Sequence, residues 1–164
     1  MSERSARSRV HVAGFLLGAG LGGFFDGIVF HQILQWHHLL SSVVPPTSID
    51  TMQLNTFADG LFHAAVWIAT LAGVFVLASS ADVPVVGRFR ALVGGMLLGW
   101  GLFNVVEGVV DHLLLGVHHV RPGPDQLLYD LAFLVWGGAM LVAGLGLVRA
   151  APRTAAARTA SHEG

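Results

Sequence analysis

The sequence predicts an all-helical integral membrane protein: a bundle of four transmembrane helices built from two helical hairpins repeated in parallel. Three observations carry that prediction. Of the 164 residues 54% are hydrophobic and only 12% are charged, where soluble globular chains carry about 25% charge. Four apolar stretches, 10–40, 52–77, 89–120 and 126–148, each reach the roughly 20 residues a helix needs to cross about 30 Å of hydrocarbon. Helix breakers separate them: Pro45-Pro46, Val83-Pro84 and Pro122-Gly123-Pro124. The stretches are too long for barrel strands and show no alternation at period two. The same composition excludes a disordered chain, which is charge-rich. The absence of cysteine excludes a disulfide framework or thiolate metal site. A net charge of -1 leaves no basic face for nucleic acid.

The first segment follows Arg4, Arg7 and Arg9. Its length, Asp26 and the lack of a small-residue cleavage site favour a retained helix over a cleaved signal peptide. Arg88 and Arg90 lie between segments two and three, and Arg149, Arg153 and Arg158 follow segment four. By the positive-inside rule, both termini and the middle loop of this multi-pass protein are expected in the cytoplasm. Only Arg121 falls on the other side. The expected organisation is a basic N-terminus at 1–9, one membrane domain at 10–149 (repeat one about 10–78, repeat two about 88–149) and a disordered tail at 150–164. Gly14, Gly18 and Gly22, with Gly95 and Gly99, give smooth faces on which segments one and three can cross.

A shift of 81 positions lays the third segment on the first, with 15 identities over 33 positions between 7–39 and 88–120. Shared Leu, Val and Gly mean little in apolar segments. The polar matches mean more, since both copies read acid-Gly-x3-His-x5-His-His: Asp26, His31, His37 and His38, then Glu107, His112, His118 and His119. Segments two and four match less well. Each has an early aspartate, Asp59 or Asp130, and a later Trp67 or Trp136, at different spacings.

On an α-helical wheel of about 100° per residue, His37 falls about 20° and His31 about 140° from Asp26. The ionisable groups of each segment thus share one side. Segment two adds Asn55, Asp59 and His63 at one-turn spacing. A lower layer of Asp26, His63 and Glu107, a middle layer of His31, Asp59, Asp111 and His112, and paired mouth histidines His37-His38 and His118-His119 follow from depth. A carboxylate at mid-bilayer costs at least about 2.5–3.5 kcal/mol. The chain has no lysine, and no arginine lies in this half of a segment. Compensation must come from protonation, imidazolium or bound metal. Imidazole with carboxylate suits copper(II), iron or zinc, so Asp26, His31, Asp59, His63, Glu107, Asp111, His112, His37, His38, His118 and His119 are the candidate metal ligands, in a site of one or two ions as in bundle di-metal proteins. Asp130 and Asn55 are candidates for outer support. Three rival readings stay open: a proton relay, haem held by His31 and His112, and a purely structural polar network.

The run from Gly22 to His38, with Asp59-Gly60-Leu61-Phe62-His63, Asn104 to His112 and His118-His119-Val120-Arg121, resembles the signature of a bacterial family of predicted membrane proteins of unknown function. The likeness spans 14–136. It implies a bacterial cytoplasmic-membrane protein and no particular activity. Relatives encoded beside copper-oxidase assembly genes tilt the metal towards copper and the role towards respiratory-oxidase maturation. The expected function is therefore metal binding or handling in the outer half of the bilayer. A membrane metal-dependent oxidoreductase and a proton-coupled transporter are the alternatives. The expected partners are the lipid bilayer and other membrane or periplasmic proteins.

Overall fold

The computed structural model describes residues 2–81 and 85–150. Among them there is no strand. Helix α1 (Glu3–Phe25) continues without a break into a π-helix, π1 (Asp26–Ile33). Helix α2 (Ile49–Ala78) follows, then α3 (Arg88–Glu107) with its own π-helical continuation π2 (Gly108–Leu114), and finally α4 (Gln126–Arg149). The expected tail from 151 on, with His162, and the Val83-Pro84 breaker lie outside the described residues.

All four helical rods, of 31, 30, 27 and 24 residues, are long and apolar enough to cross a membrane. Two end earlier than their apolar stretches suggested. Helical winding stops at Ile33 instead of 40 and at Leu114 instead of 120, for a reason given below. The basic N-terminus is helical from Glu3 onward, capped by the Ser2 hydroxyl, which accepts from Ser5 N–H at 3.3 Å. At the start of α2, Ser48 and Thr51 form a reciprocal capping box, which satisfies N–H groups that a helix leaves unpaired.

Helices α1 and α3 form the central pair. α2 packs its backbone on α1 and π1, and α4 packs on α3 and π2. The α1–α3 seam is where glycine is needed. A Cβ on Gly14 would stand 3.1 Å from the Gly95 Cα, and one on Gly18 or Gly99 would overlap the backbone of Met96 or Phe15. The two rods thus touch backbone to backbone at the small-residue faces the sequence marked out, a contact built on dispersion because lipid supplies no hydrophobic drive. At the end of the bundle bearing the chain termini, Arg7 donates to the Val86 carbonyl (2.8 Å) and Arg9 to the Ser79 hydroxyl (2.9 Å). The polar residues gather at the opposite end, where α1 and α3 finish and α2 and α4 begin.

Candidate metal centre

Asp26 opens π1 and Glu107 immediately precedes π2. A π-helix closes hydrogen bonds five residues apart, as Leu34 N–H to Val29 O and Leu115 N–H to Val110 O do, both at 2.8 Å. Wider winding changes which side chains share a face. On an α-helix, residue i+5 points away from residue i; on a π-helix it returns close to it. His31 is five residues after Asp26, and His112 five after Glu107, so each acid lies beside its histidine.

Each π-helix then ends in a left-handed turn. Gln35 has φ 50° and Gly116, 81 positions on, has φ 58°. Bonds from Trp36 N–H to Phe30 O (2.9 Å) and from Val117 N–H to Asp111 O (3.0 Å) close the turns. The chain is folded back, and the next residue, His37 or His118, re-enters the bundle. This corrects the expectation that His37 and His118 sit at an outer mouth. They are 2% and 0% exposed. Only His38 and His119 stay at the rim, with side chains 27% and 20% exposed.

The result is two buried triads, Asp26–His31–His37 and Glu107–His112–His118, each with one ligand atom per residue within 4.8 Å of the others. Asp26 Oδ2 is 3.0 Å from His31 Nε2 and 3.9 Å from His37 Nε2. Glu107 Oε1 is 3.6 Å from His118 Nε2. None of these pairs is aligned as a hydrogen bond, so Nε2 of His31, His37, His112 and His118 and both Asp26 oxygens are buried without a hydrogen-bond partner. Ligands about 2.0–2.1 Å from a tetrahedral ion are roughly 3.3 Å apart, so small side-chain shifts bring either triad onto one centre. The triads meet through the stacked rings of His37 and His118, with centroids 4.7 Å apart and planes 11° from parallel.

The far ring nitrogens of three of the four histidines are accounted for. His37 Nδ1 donates to the Val120 carbonyl (2.8 Å), and His118 Nδ1 donates to the Leu39 carbonyl (3.1 Å). Each half therefore anchors a histidine of the other. A carbonyl can only accept, so Nδ1 carries the proton and Nε2 keeps its lone pair. His31 Nδ1 bonds Asp59 Oδ1 at 2.9 Å, which fixes the same tautomer when Asp59 is ionised. Metal-binding histidines are commonly held by a carboxylate or carbonyl on the far nitrogen in this way.

Asp59, expected as a ligand, stands on that far side: it also accepts from His38 Nδ1 (2.7 Å) and Leu39 N–H (2.8 Å). Asp130, expected only as outer support, plays the same part. It accepts from His119 Nδ1 (2.7 Å) and Val120 N–H (3.0 Å), and lies 3.5 Å from His112 Nδ1. Asn55 is supporting too, as expected: it accepts from Leu40 N–H and donates to the Val44 carbonyl, pinning the returning loop. His63 is outside both triads, packed against Gly27 and ringed by Phe24 and Phe62. Asp111 is outside them as well and lines a cleft with Glu107. The turn residues Gln35 and Gly116 and the acceptor carbonyls of Leu39 and Val120 were missed by the sequence reading. The one available signal was the Gly before Val117-His118-His119.

Electrostatics sharpen the picture. Asp26, Asp59, Glu107 and Asp130 are each at most 5% exposed. Among the described residues their ion-pair partners are histidines only. Four buried acids without a guanidinium or ammonium need added positive charge or protons. A hollow of about 490 Å3 bordered by Trp36, His37, His38, Ser41 and Pro122 lies on the loop side of the triads.

Four apolar spans enclosing two His/carboxylate clusters define a polytopic helical membrane protein whose buried polar groups are compatible with metal binding. The chain belongs to the family described as "Predicted membrane protein (DUF2243)", which it matches over residues 13–151. The family resemblance read from its motifs is thereby borne out. No curated protein and no solved structure matches the chain.

Proposed function

We propose that this protein binds divalent transition-metal ions, one per triad, with Asp26, His31 and His37 as ligands in one site and Glu107, His112 and His118 in the other. The observation that carries the reading is the convergence, in each triad, of buried imidazole and carboxylate ligand atoms within 4.8 Å of one another, with the opposite nitrogens of His31, His37 and His118 held by Asp59, Val120 and Leu39. Nitrogen and oxygen donors without sulfur suit copper(II), iron or zinc, while copper(I) prefers sulfur. The two sites are the two copies of one duplicated hairpin. With the arginine-rich end of the bundle in the cytoplasm, they face the outside of a bacterial inner membrane, where a metal-handling role fits.

Three protein ligands per ion leave a coordination position open, as in catalytic and not in closed structural sites. That count favours a metal-dependent oxidoreductase as the second reading, tested by metal-dependent oxygen consumption with quinol. The primary test is elemental analysis of detergent-purified protein. Wild type is expected to hold close to two ions per chain and His31→Ala/His112→Ala close to none. Substoichiometric metal that the double variant leaves unchanged would end the proposal.

A further inference from the structure

On the flank of the bundle formed by α1, α2 and α3 lies a cleft of about 300 Å3, lined among others by Phe15, Ala19, Phe62, Val106, Glu107 and Asp111. Its walls are apolar and partly aromatic, and Phe15 and Val106 lie exposed on the lipid-facing surface, so it opens sideways into the bilayer. Its polar content is two carboxyl groups. Glu107 is 5% exposed and its Oε2 has no hydrogen-bond partner. The Asp111 carboxyl is half-buried and makes no hydrogen bond to any described residue.

The matching place on the other flank is filled. At the positions 81 residues away, Ala19 is replaced by Trp100, Val106 by Phe25 and Asp111 by Phe30. Phe25 packs on Trp100 (ring centroids 5.5 Å apart), on Phe30 (5.8 Å) and on Trp136 (6.1 Å). The cleft is thus not a by-product of the helix arrangement, since the same arrangement closes when aromatic residues occupy those positions. Three substitutions open one flank and place an acid in it.

We infer that this cleft takes, from the lipid phase, the head of a membrane-soluble hydroquinone, its ring between Phe15 and Phe62 and its hydroxyls donating to Glu107 and Asp111. The chemistry selects the occupant. Two carboxyl groups, with no arginine or lysine lining the cleft, ask for hydrogen-bond donors. A neutral donor crosses hydrocarbon without the cost of a cation, and flat aromatic walls suit a ring. The volume is at the lower end of small-molecule sites, enough for a substituted ring with its tail left in the bilayer. The cleft shares Glu107 with the proposed metal site but the inference concerns binding alone, so titration in both metal states keeps its failure distinct from that of the metal reading.

The test is titration of the protein in phospholipid nanodiscs with a decyl-substituted hydroquinone and its dimethyl ether, followed by tryptophan fluorescence, before and after chelator treatment. Saturable binding is expected in both metal states, at least tenfold weaker for the ether. Asp111→Asn is expected to weaken hydroquinone binding about tenfold. Ala19→Trp, which copies the filled flank, is expected to abolish it, with circular dichroism reporting that the variant is folded. Equal binding of hydroquinone and ether overturns the inference, as does binding that neither substitution changes. Absence of saturable binding overturns it too, and assigns the cleft to phospholipid chains.

Discussion

The two halves of the molecule carry the same polar signature and use it differently. In the first, His31 is gripped on both sides, 3.0 Å from Asp26 and 2.9 Å from Asp59, and Phe25, Phe30 and Trp36 close the flank. In the second, the acid is one methylene longer, His112 lies 3.5 Å from Asp130, and both His112 ring nitrogens lack a hydrogen-bond partner. Val106, Asp111 and Val117 stand where the three aromatic residues stood. A tight, closed half and a looser, open half teach that one polar pattern can occur at two places in a bundle while only one of them leaves its flank open.

The largest expected effect falls on the seam that joins the halves. Gly99→Leu drives a side chain into the Phe15 carbonyl, whereas Gly138 has open space around it. Size-exclusion chromatography in detergent should show loss of the monodisperse protein for Gly99→Leu and none for Gly138→Leu. Equal behaviour would mean the halves are not held together there.

Next come the outer carboxylates. Removing such a partner typically lowers metal affinity by about 10–100-fold. Asp59→Asn should lie at the upper end, because Asp59 holds His31, His38 and the Leu39 amide, and Asp130→Asn at the lower end. Competition with a chromogenic chelator measures both, and the reverse order would contradict the ranking of the halves.

Smaller effects distinguish the flanks and the turns. Phe25→Ala should cost about 2 kcal/mol in unfolding experiments, below the roughly 3–5 kcal/mol of a fully buried Phe because this ring is half-buried; Val106→Phe should cost almost nothing because the cleft receives it. Gln35 occupies a left-handed conformation that costs a non-glycine residue about 1 kcal/mol. Gln35→Gly should therefore stabilise by about that amount and Gly116→Gln destabilise equally. Thermal unfolding in which Gln35→Gly destabilises, or Gly116→Gln leaves stability unchanged, would show that the turns are not equivalent.

Much of this was legible in the residues. Apolar length gave the four spans, and glycine spacing gave the α1–α3 seam. The repeated acid-Gly-x3-His-x5-His-His pattern marked six of the residues that make up the triads. The wheel misplaced them because it assumed α-helical winding: His31 falls far from Asp26 at 100° per residue and next to it in a π-helix. His37 and His118 were assigned to the mouth because nothing about Gln35 announces a left-handed turn. The kinship of Asp59 and Asp130 was hidden by chain length, since they are 71 positions apart while the histidines are 81 apart; the first connecting loop is longer than the second, and Asp59 lies further into α2 than Asp130 into α4.

The central claim is that four imidazole Nε2 atoms and two carboxylates form the ligand set. X-ray absorption at the zinc edge of zinc-loaded protein tests it most directly. The account predicts a nitrogen and oxygen shell at about 2.0–2.1 Å with outer scattering from two imidazoles per ion, lost in His37→Ala/His118→Ala as in His31→Ala/His112→Ala. A shell without imidazole scattering, or one that survives both double variants, would contradict it.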